Sequence, residues 1–265
     1  MVAPQLTLRA YFSLARSVGL DGVEIRNDIG GNAILDGTPP SVVRSFAESA
    51  GVTILTINAL QRFNEWTPGR EAEARMLAAY GRECGAKALI LVPTNDGSGR
   101  EEGRRQSSLT AALAALTPIL EDHGIVGLVE PLGFESSSLR SKREAVEAIR
   151  AVGGEQSFRL THDTFHHHLA GEEEIFPQAT GLVHISGVED TSLSDAAMRD
   201  DHRVLVGPKD RIGNIEQLRR LFGAGYAGPV SFEPFAPALR QLADPATAIR
   251  ESIGYIQVEL MREAA

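Results

Sequence analysis

Residues 124–134 read GIVGLVEPLGF, and this stretch decides the fold. Ile125 to Val129 is a short apolar run that ends in one carboxylate, Glu130, before Pro131 and Gly133 stop it. An apolar run of that length between breakers reads as a buried strand of a parallel sheet. A charge at its carboxyl end costs free energy unless something pairs with it. The same grammar recurs downstream. Phe158 to His162 ends in Asp163, Gly181 to Val183 ends in His184, and Pro229 to Phe232 ends in Glu233. Four strand ends thus deliver two glutamates, one aspartate and one histidine, which are hard-oxygen and imidazole ligands. In a closed parallel barrel such ends converge on one face.

Strand-like and helix-like stretches alternate on both sides of this run, with a period of about 30 residues that suits a parallel α/β protein. Helices are predicted over Ala10–Val18, Ser41–Ala50, Glu71–Cys84, Ser108–His123, Lys142–Val152, Asn214–Phe222 and Pro245–Glu263. Strands are predicted over Val23–Arg26, Val52–Asn58, Ala88–Val92, Phe158–Asp163 and Gly181–Ile185, besides the runs before Glu130 and Glu233. No linker or composition break divides the chain, so residues 1–265 are expected to form a single domain. The expected fold is a (β/α)8 TIM barrel. Seven strands can be counted, and the eighth should precede the first helix. Only Met1-Val2-Ala3-Pro4 is available there, too short for a full strand. Either the first strand is truncated or the encoded start lies upstream of Met1.

Bulk properties narrow the function. The chain of 265 residues carries a formal net charge of −9, which disfavours nucleic acid or an anionic membrane as the main partner. The single cysteine, Cys84, excludes an intrachain disulfide and a cysteine-rich zinc site and suits a reducing cytoplasm. No apolar run approaches 18 residues. Gly97-Ser98-Gly99 lacks the spacing of a phosphate-binding loop, and there is no Gly-x-Ser-x-Gly elbow.

The four strand-end residues, Glu130, Asp163, His184 and Glu233, are therefore candidate ligands of one divalent metal ion, with Mn, Mg, Zn or Co all compatible. The plainer alternative, helix caps or loop ion pairs, suits any one of them better than it suits four in consecutive units. Asp163 and His166 stand three apart, so a helical turn would put them on one face, and His166 should look toward the metal. His168 is a weaker candidate, His167 should point elsewhere, and strand alternation sends His162 to the opposite side. Glu24 and Arg26 could form a charge pair at the pocket rim or an ordinary surface pair. Asn58, Phe63, Asn64 and Trp66 could wall a polyol site or simply pack a loop. Arg203, in the long loop after His184, could reach back to substrate oxygens.

Glu130, Asp163-Thr164-Phe165-His166, Val183-His184, Arg203 and Ser231-Phe232-Glu233-Pro234-Phe235 together resemble the xylose-isomerase-like TIM barrels. Asn58-Ala59-Leu60 with Phe63-Asn64, and Asp163 to His166 with His168, narrow the resemblance to the inosose isomerases and related inositol and rhizopine catabolism proteins. The resemblance implies that Glu130 and Glu233 are both ligands and the acid/base pair, completed by Asp163 and His184. It further implies substrate contacts from His166 and Arg203. The expected activity is isomerisation or epimerisation of a keto-polyol or inosose, by proton transfer through an enediolate that the metal stabilises. A dehydratase or 3-keto-glycoside lyase using the same site is the alternative. A small-molecule keto-sugar or inosose is the expected partner, and a homo-oligomer is compatible with the sequence. The chain departs from the family at Val206 to Arg211, which lacks the usual Pro-Gly-x-Gly run followed by an acidic residue, and at the shortened first strand.

Overall fold

The computed structural model describes residues Val2–Arg262. Met1, part of the short first segment, and Glu263, at the end of the predicted closing helix, lie outside the described residues. The fold is a (β/α)8 TIM barrel in which seven parallel strands form a nearly closed sheet inside eight helices. The elements alternate as α1 (Leu8–Ser17), β1 (Gly22–Arg26), α2 (Pro40–Ala50), β2 (Thr53–Gln61), α3 (Pro68–Cys84), β3 (Ala88–Val92), α4 (Arg104–His123) and β4 (Val126–Val129). They continue as α5 (Lys142–Ala151), β5 (Phe158–Asp163), α6 (Thr164–Ala170), β6 (Thr180–Ile185), α7 (Asn214–Gly223), β7 (Val230–Phe232) and α8 (Pro245–Met261). Strands pair in sequence order, β1 to β7, each parallel to the next. Among the described residues no helix is long and apolar enough to cross a membrane.

Strand alternation splits the apolar residues between two layers. Leu89, Leu91, Val129, Phe158 and Leu160 face outward and join Leu77, Leu113 and Leu116 of the helices in the main core. Ala88, Ile90, Leu128 and Leu182 form a separate cluster that fills the barrel. Burying one such side chain contributes roughly 1.5–3 kcal/mol, so the strands are held chiefly by this two-sided burial. Gly127, in the middle of β4, permits the close packing. A β-carbon there would lie 2.7 Å from Phe158 and 2.9 Å from both Leu120 and Leu91.

Element ends follow local chemistry. The Thr67 hydroxyl accepts from the Arg70 amide and starts α3, with Pro68 next, and Gly85 at φ 86° stops it. Helix α4 begins at Arg104, earlier than the apolar pattern predicts, because the Gln106 side chain accepts from the Gly103 amide at 2.6 Å. Helix α1 likewise extends back to Leu8, where Thr7 caps it. Strand β2 runs on to Gln61, past the predicted end at Asn58. The His-rich segment after β5 is a helix of seven residues, α6, too short for periodicity to reveal.

The sheet has one open seam. Strand β1 pairs only with β2, and β7 only with β6. Among the described residues no strand precedes α1. A cavity of about 540 Å³ lies at the seam, lined by β1, β7, α1 and residues from Val2 to Pro4. Side chains bridge the gap that backbone bonds leave. Ser231 Oγ donates to Glu24 Oε1 at 2.5 Å, and Arg26 Nη1 donates to Glu233 Oε1 at 3.0 Å.

Candidate metal centre

The ends of β4, β5, β6 and β7 bring Glu130, Asp163, His184 and Glu233 to one point. One donor atom from each lies within 4.8 Å of all the others, and all four residues are buried. The backbone fixes this convergence. The Glu130 amide donates to the Leu91 carbonyl and the Glu233 amide to the Ile185 carbonyl, while Asp163 and His184 are register partners across β5 and β6. His184 Nδ1 is 2.8 Å from Glu130 Oε1, 3.2 Å from Glu233 Oε2 and 3.9 Å from Asp163 Oδ2. Asp163 serves two structures at once. Its Oδ1 accepts from the His166 amide at 3.0 Å and so caps α6, while Oδ2 faces the cluster.

Charge decides whether this set fits a cation. Glu24 joins the four residues from below, with its carboxylate 3.1 Å from His184 Nε2. Glu24, Glu130, Asp163 and Glu233 then make four carboxylates whose side chains are at most 9% exposed. Two guanidiniums oppose them. Arg203 donates to Asp163 Oδ2 at 2.6 Å and to Glu233 Oε2 at 3.0 Å, and Arg26 donates to Glu233 Oε1. With His184 neutral, two negative charges are left over in a nearly dry site. A divalent ion would neutralise them, and three carboxylates with one imidazole suit such an ion.

Without an ion the histidine takes up that role. Burial alone would lower the His184 basicity, but Glu233, Glu24 and Glu130 hold it well above the ordinary histidine value. Burial and the charge of Glu233 push Glu130 up to about 7. Burial would raise Glu233 too, yet His184, Arg203 and Arg26 hold it well below the carboxylate range. Burial raises Asp163 against the opposing charge of Arg203. The two glutamates at the cluster are thus held in different environments.

The other sequence candidates divide. His166 is buried, its ring 5.0 Å from that of Phe134 and 5.3 Å from that of Phe165, and its Nδ1 has no protein partner. Burial and the nearby Arg203 charge lower it to about 3, so it is neutral. Arg203 is 1% exposed and lies between the rings of Phe165 and Phe235, at 4.9 Å from each. Its guanidinium is directed at Asp163 and Glu233 rather than into open space. Asn58 is likewise engaged, donating to Glu233 Oε1 at 2.9 Å.

Three placements correct the sequence expectations. Glu24 does not stand at a rim paired with Arg26. Its carboxylate is directed at His184 and accepts from Thr56 and Ser231, because β1 turns that side chain into the barrel. Trp66 is half-buried and packs against the main apolar core. His168 turns away toward Asp195, 3.2 Å distant, because it lies on the outer turn of α6. His162 lies on the opposite side of β5, as alternation requires, and meets Gln217, while His167 on α6 points away from the cluster and meets Lys142. The sequence reading missed Thr56 and gave no role to Ser231 and Phe235, which it held only as part of the motif around Glu233. Thr56 shares a strand face with Asn58, and Ser231 with Glu233, so period-two alternation was the signal available.

A parallel barrel with carboxylates and an imidazole gathered at the carboxyl ends of its strands defines the class. The chain belongs to the Xylose isomerase-like TIM barrel family, which it matches over residues 12–258. It is 26% identical over 246 residues to the inosose isomerase of Bacillus velezensis, covering 89% of this chain and 86% of that one. A xylose isomerase domain containing protein from Salmonella typhimurium LT2 superposes with a TM-score of 0.89 at 36% identity, over 98% of this chain and 94% of its own. The fold is shared with the IolI protein, whose crystal structure has a bound zinc atom. That TM-score is 0.84 at 20% identity, over 96% of this chain and 93% of the other.

Proposed function

We propose that the chain, acting as one cytoplasmic domain, is a divalent-metal-dependent isomerase or epimerase of a keto-polyol, with an inosose as the first substrate class to test. The observation that carries this is the meeting of Glu130 and Glu233 in one buried cluster with Asp163 and His184. The inosose isomerase relative supports the substrate class. Glu130, Asp163, His184 and Glu233 would hold the ion. When bound, it supplies positive charge against the negative charge that develops on a substrate carbonyl oxygen.

The chain's own residues supply the proton chemistry. Strands β5 and β6 lie between β4 and β7, so Glu130 and Glu233 approach from either side of His184. One carboxylate takes the proton α to the carbonyl; the other returns a proton to the opposite face of the same carbon in epimerisation, or, in isomerisation, to the former carbonyl carbon while the hydroxyl proton passes to the former carbonyl oxygen. Donors from Arg26, Asn58 and Arg203 keep Glu233 ionised and fixed, which suits a proton acceptor. Glu130, which lacks contacts from Arg26, Asn58 and Arg203, suits the partner carboxylate on the other side of His184 that completes the proton exchange. His166, neutral and with a free Nδ1, is placed to meet a substrate hydroxyl.

The test is incubation with inososes and ketohexoses in deuterated buffer containing Mn. Deuterium should enter the substrate at the carbon α to the carbonyl, with conserved skeleton and mass otherwise unchanged. Glu130→Gln and Glu233→Gln should each reduce that exchange by at least about 100-fold, the scale of a positioned acid or base. Exchange left intact in both variants overturns the assignment, and loss of water from the product replaces isomerisation with elimination.

A further inference from the structure

We infer that Glu24 is a positioning residue that sets the tautomer and ring orientation of His184 for the cation, an inference that rests on the four-ligand reading of the centre. Both faces of this claim are geometric. The two nitrogens of His184 face different carboxylates. Nδ1 faces Glu130, Glu233 and Asp163, while Nε2 faces Glu24 at 3.1 Å and 3.2 Å to its two oxygens. Glu24 has no donor atom among the clustered four and lies on the far side of the ring from them. A carboxylate only accepts, so it holds the hydrogen on Nε2. The lone pair of Nδ1 is thereby presented to the ion.

Glu24 is itself held from two strands. Thr56 Oγ1 on β2 donates to Glu24 Oε2 at 2.5 Å, and Ser231 Oγ on β7 donates to Glu24 Oε1 at 2.5 Å. Each oxygen thus has one hydroxyl donor and shares the imidazole N–H. These contacts hold the plane of the carboxylate, and with it the ring of His184, from three strands. His184 is fully buried, and Glu24 is the partner its Nε2 meets.

The prediction distinguishes an acceptor from an amide of equal size. In Glu24→Gln one side-chain atom facing Nε2 becomes a donor, which favours the tautomer with its hydrogen on Nδ1 and withdraws the ligand. Binding of Co²⁺ should weaken by about 10- to 100-fold, the range for outer partners of a ligating histidine. The visible spectrum of the bound Co²⁺ should also shift, which a general loss of stability would not cause. Thr56→Val, which removes one donor to the same carboxylate, should weaken binding measurably but by less than Glu24→Gln, and Thr56→Ser should restore it. These two variants decide the matter if Glu24→Gln does not fold. Wild-type affinity and spectrum in folded Glu24→Gln overturn the inference, as does equal binding by Thr56→Val and Thr56→Ser where Glu24→Gln is unfolded. A wild-type protein that binds no stoichiometric Co²⁺ overturns the four-ligand reading and this inference together, so the two failures are distinguishable.

Discussion

Asp163 joins the proposed cation site to a helix start, and the two duties can be separated. Its Oδ1 caps α6 through the His166 amide, while Oδ2 accepts from Arg203 and faces the cluster. Asp163→Asn keeps a side-chain oxygen for the cap and loses the charge. Asp163→Ala loses both. Replacing an N-cap by alanine costs about 1 kcal/mol, within a range of 0.5–2. For a chain of this size that corresponds to roughly 2–4 °C in melting temperature. The absolute effect on the ion-free protein contains a second contribution of opposite sign. Burial raises Asp163, so at neutral pH its ionised form costs folded-state stability, and removing the charge relieves that cost. The comparison that matters is between the two variants, where this contribution cancels. Melting in EDTA should place Asp163→Asn above Asp163→Ala by those few degrees, while both lose tight binding of Co²⁺. Equal melting points, or tight binding by Asp163→Asn, refute the assignment of two duties to this one side chain.

The remaining predictions concern pH and packing. Glu130 is pushed from an ordinary 4.5 to about 7 in the ion-free protein. An acid whose folded value is raised favours the folded state below its unfolded value, and that contribution is lost as pH rises through about 7. The cation needs the ionised form, and His184, held well above its ordinary value, must lose a proton as well. Affinity for Mn, measured by calorimetry, should therefore strengthen as pH rises from 5.5 to 8, by more than the release of one proton explains. A flat profile contradicts this. At Gly133 an added β-carbon would collide with the His166 carbonyl and lie 2.6 Å from the Leu169 β-carbon. Gly133→Ala should therefore push α6 away and destabilise the protein by about 1–3 kcal/mol, read by chemical denaturation, and unchanged stability would show that the loop yields freely.

The barrel was legible because its strands are short apolar runs stopped by proline or glycine, and because each of four runs ends in a ligand-type residue. Glu130, Asp163, His184 and Glu233 meet for that reason: a parallel sheet sends like ends to one face. What lay beyond sequence was pairing between distant strands. Nothing local distinguishes Glu24 at a rim from Glu24 under an imidazole, since its partners Thr56, His184 and Ser231 come from three other strands. Arg203 was read as reaching for substrate, but a long side chain from a long loop has no periodicity to report its target. Trp66 and His168 were aromatic and polar residues in plausible places, and tertiary packing turned both away. Helix α6 escaped because one cap and seven residues leave too little pattern.

Where β1 and β7 fail to meet through their backbones, Ser231 with Glu24 and Arg26 with Glu233 make the join. The hoop is therefore fastened by side chains that also touch the buried carboxylate and imidazole cluster. Any change that retunes those groups for another substrate also loosens the fastening, so new specificity here would have to be matched by reinforcement elsewhere along the two edges.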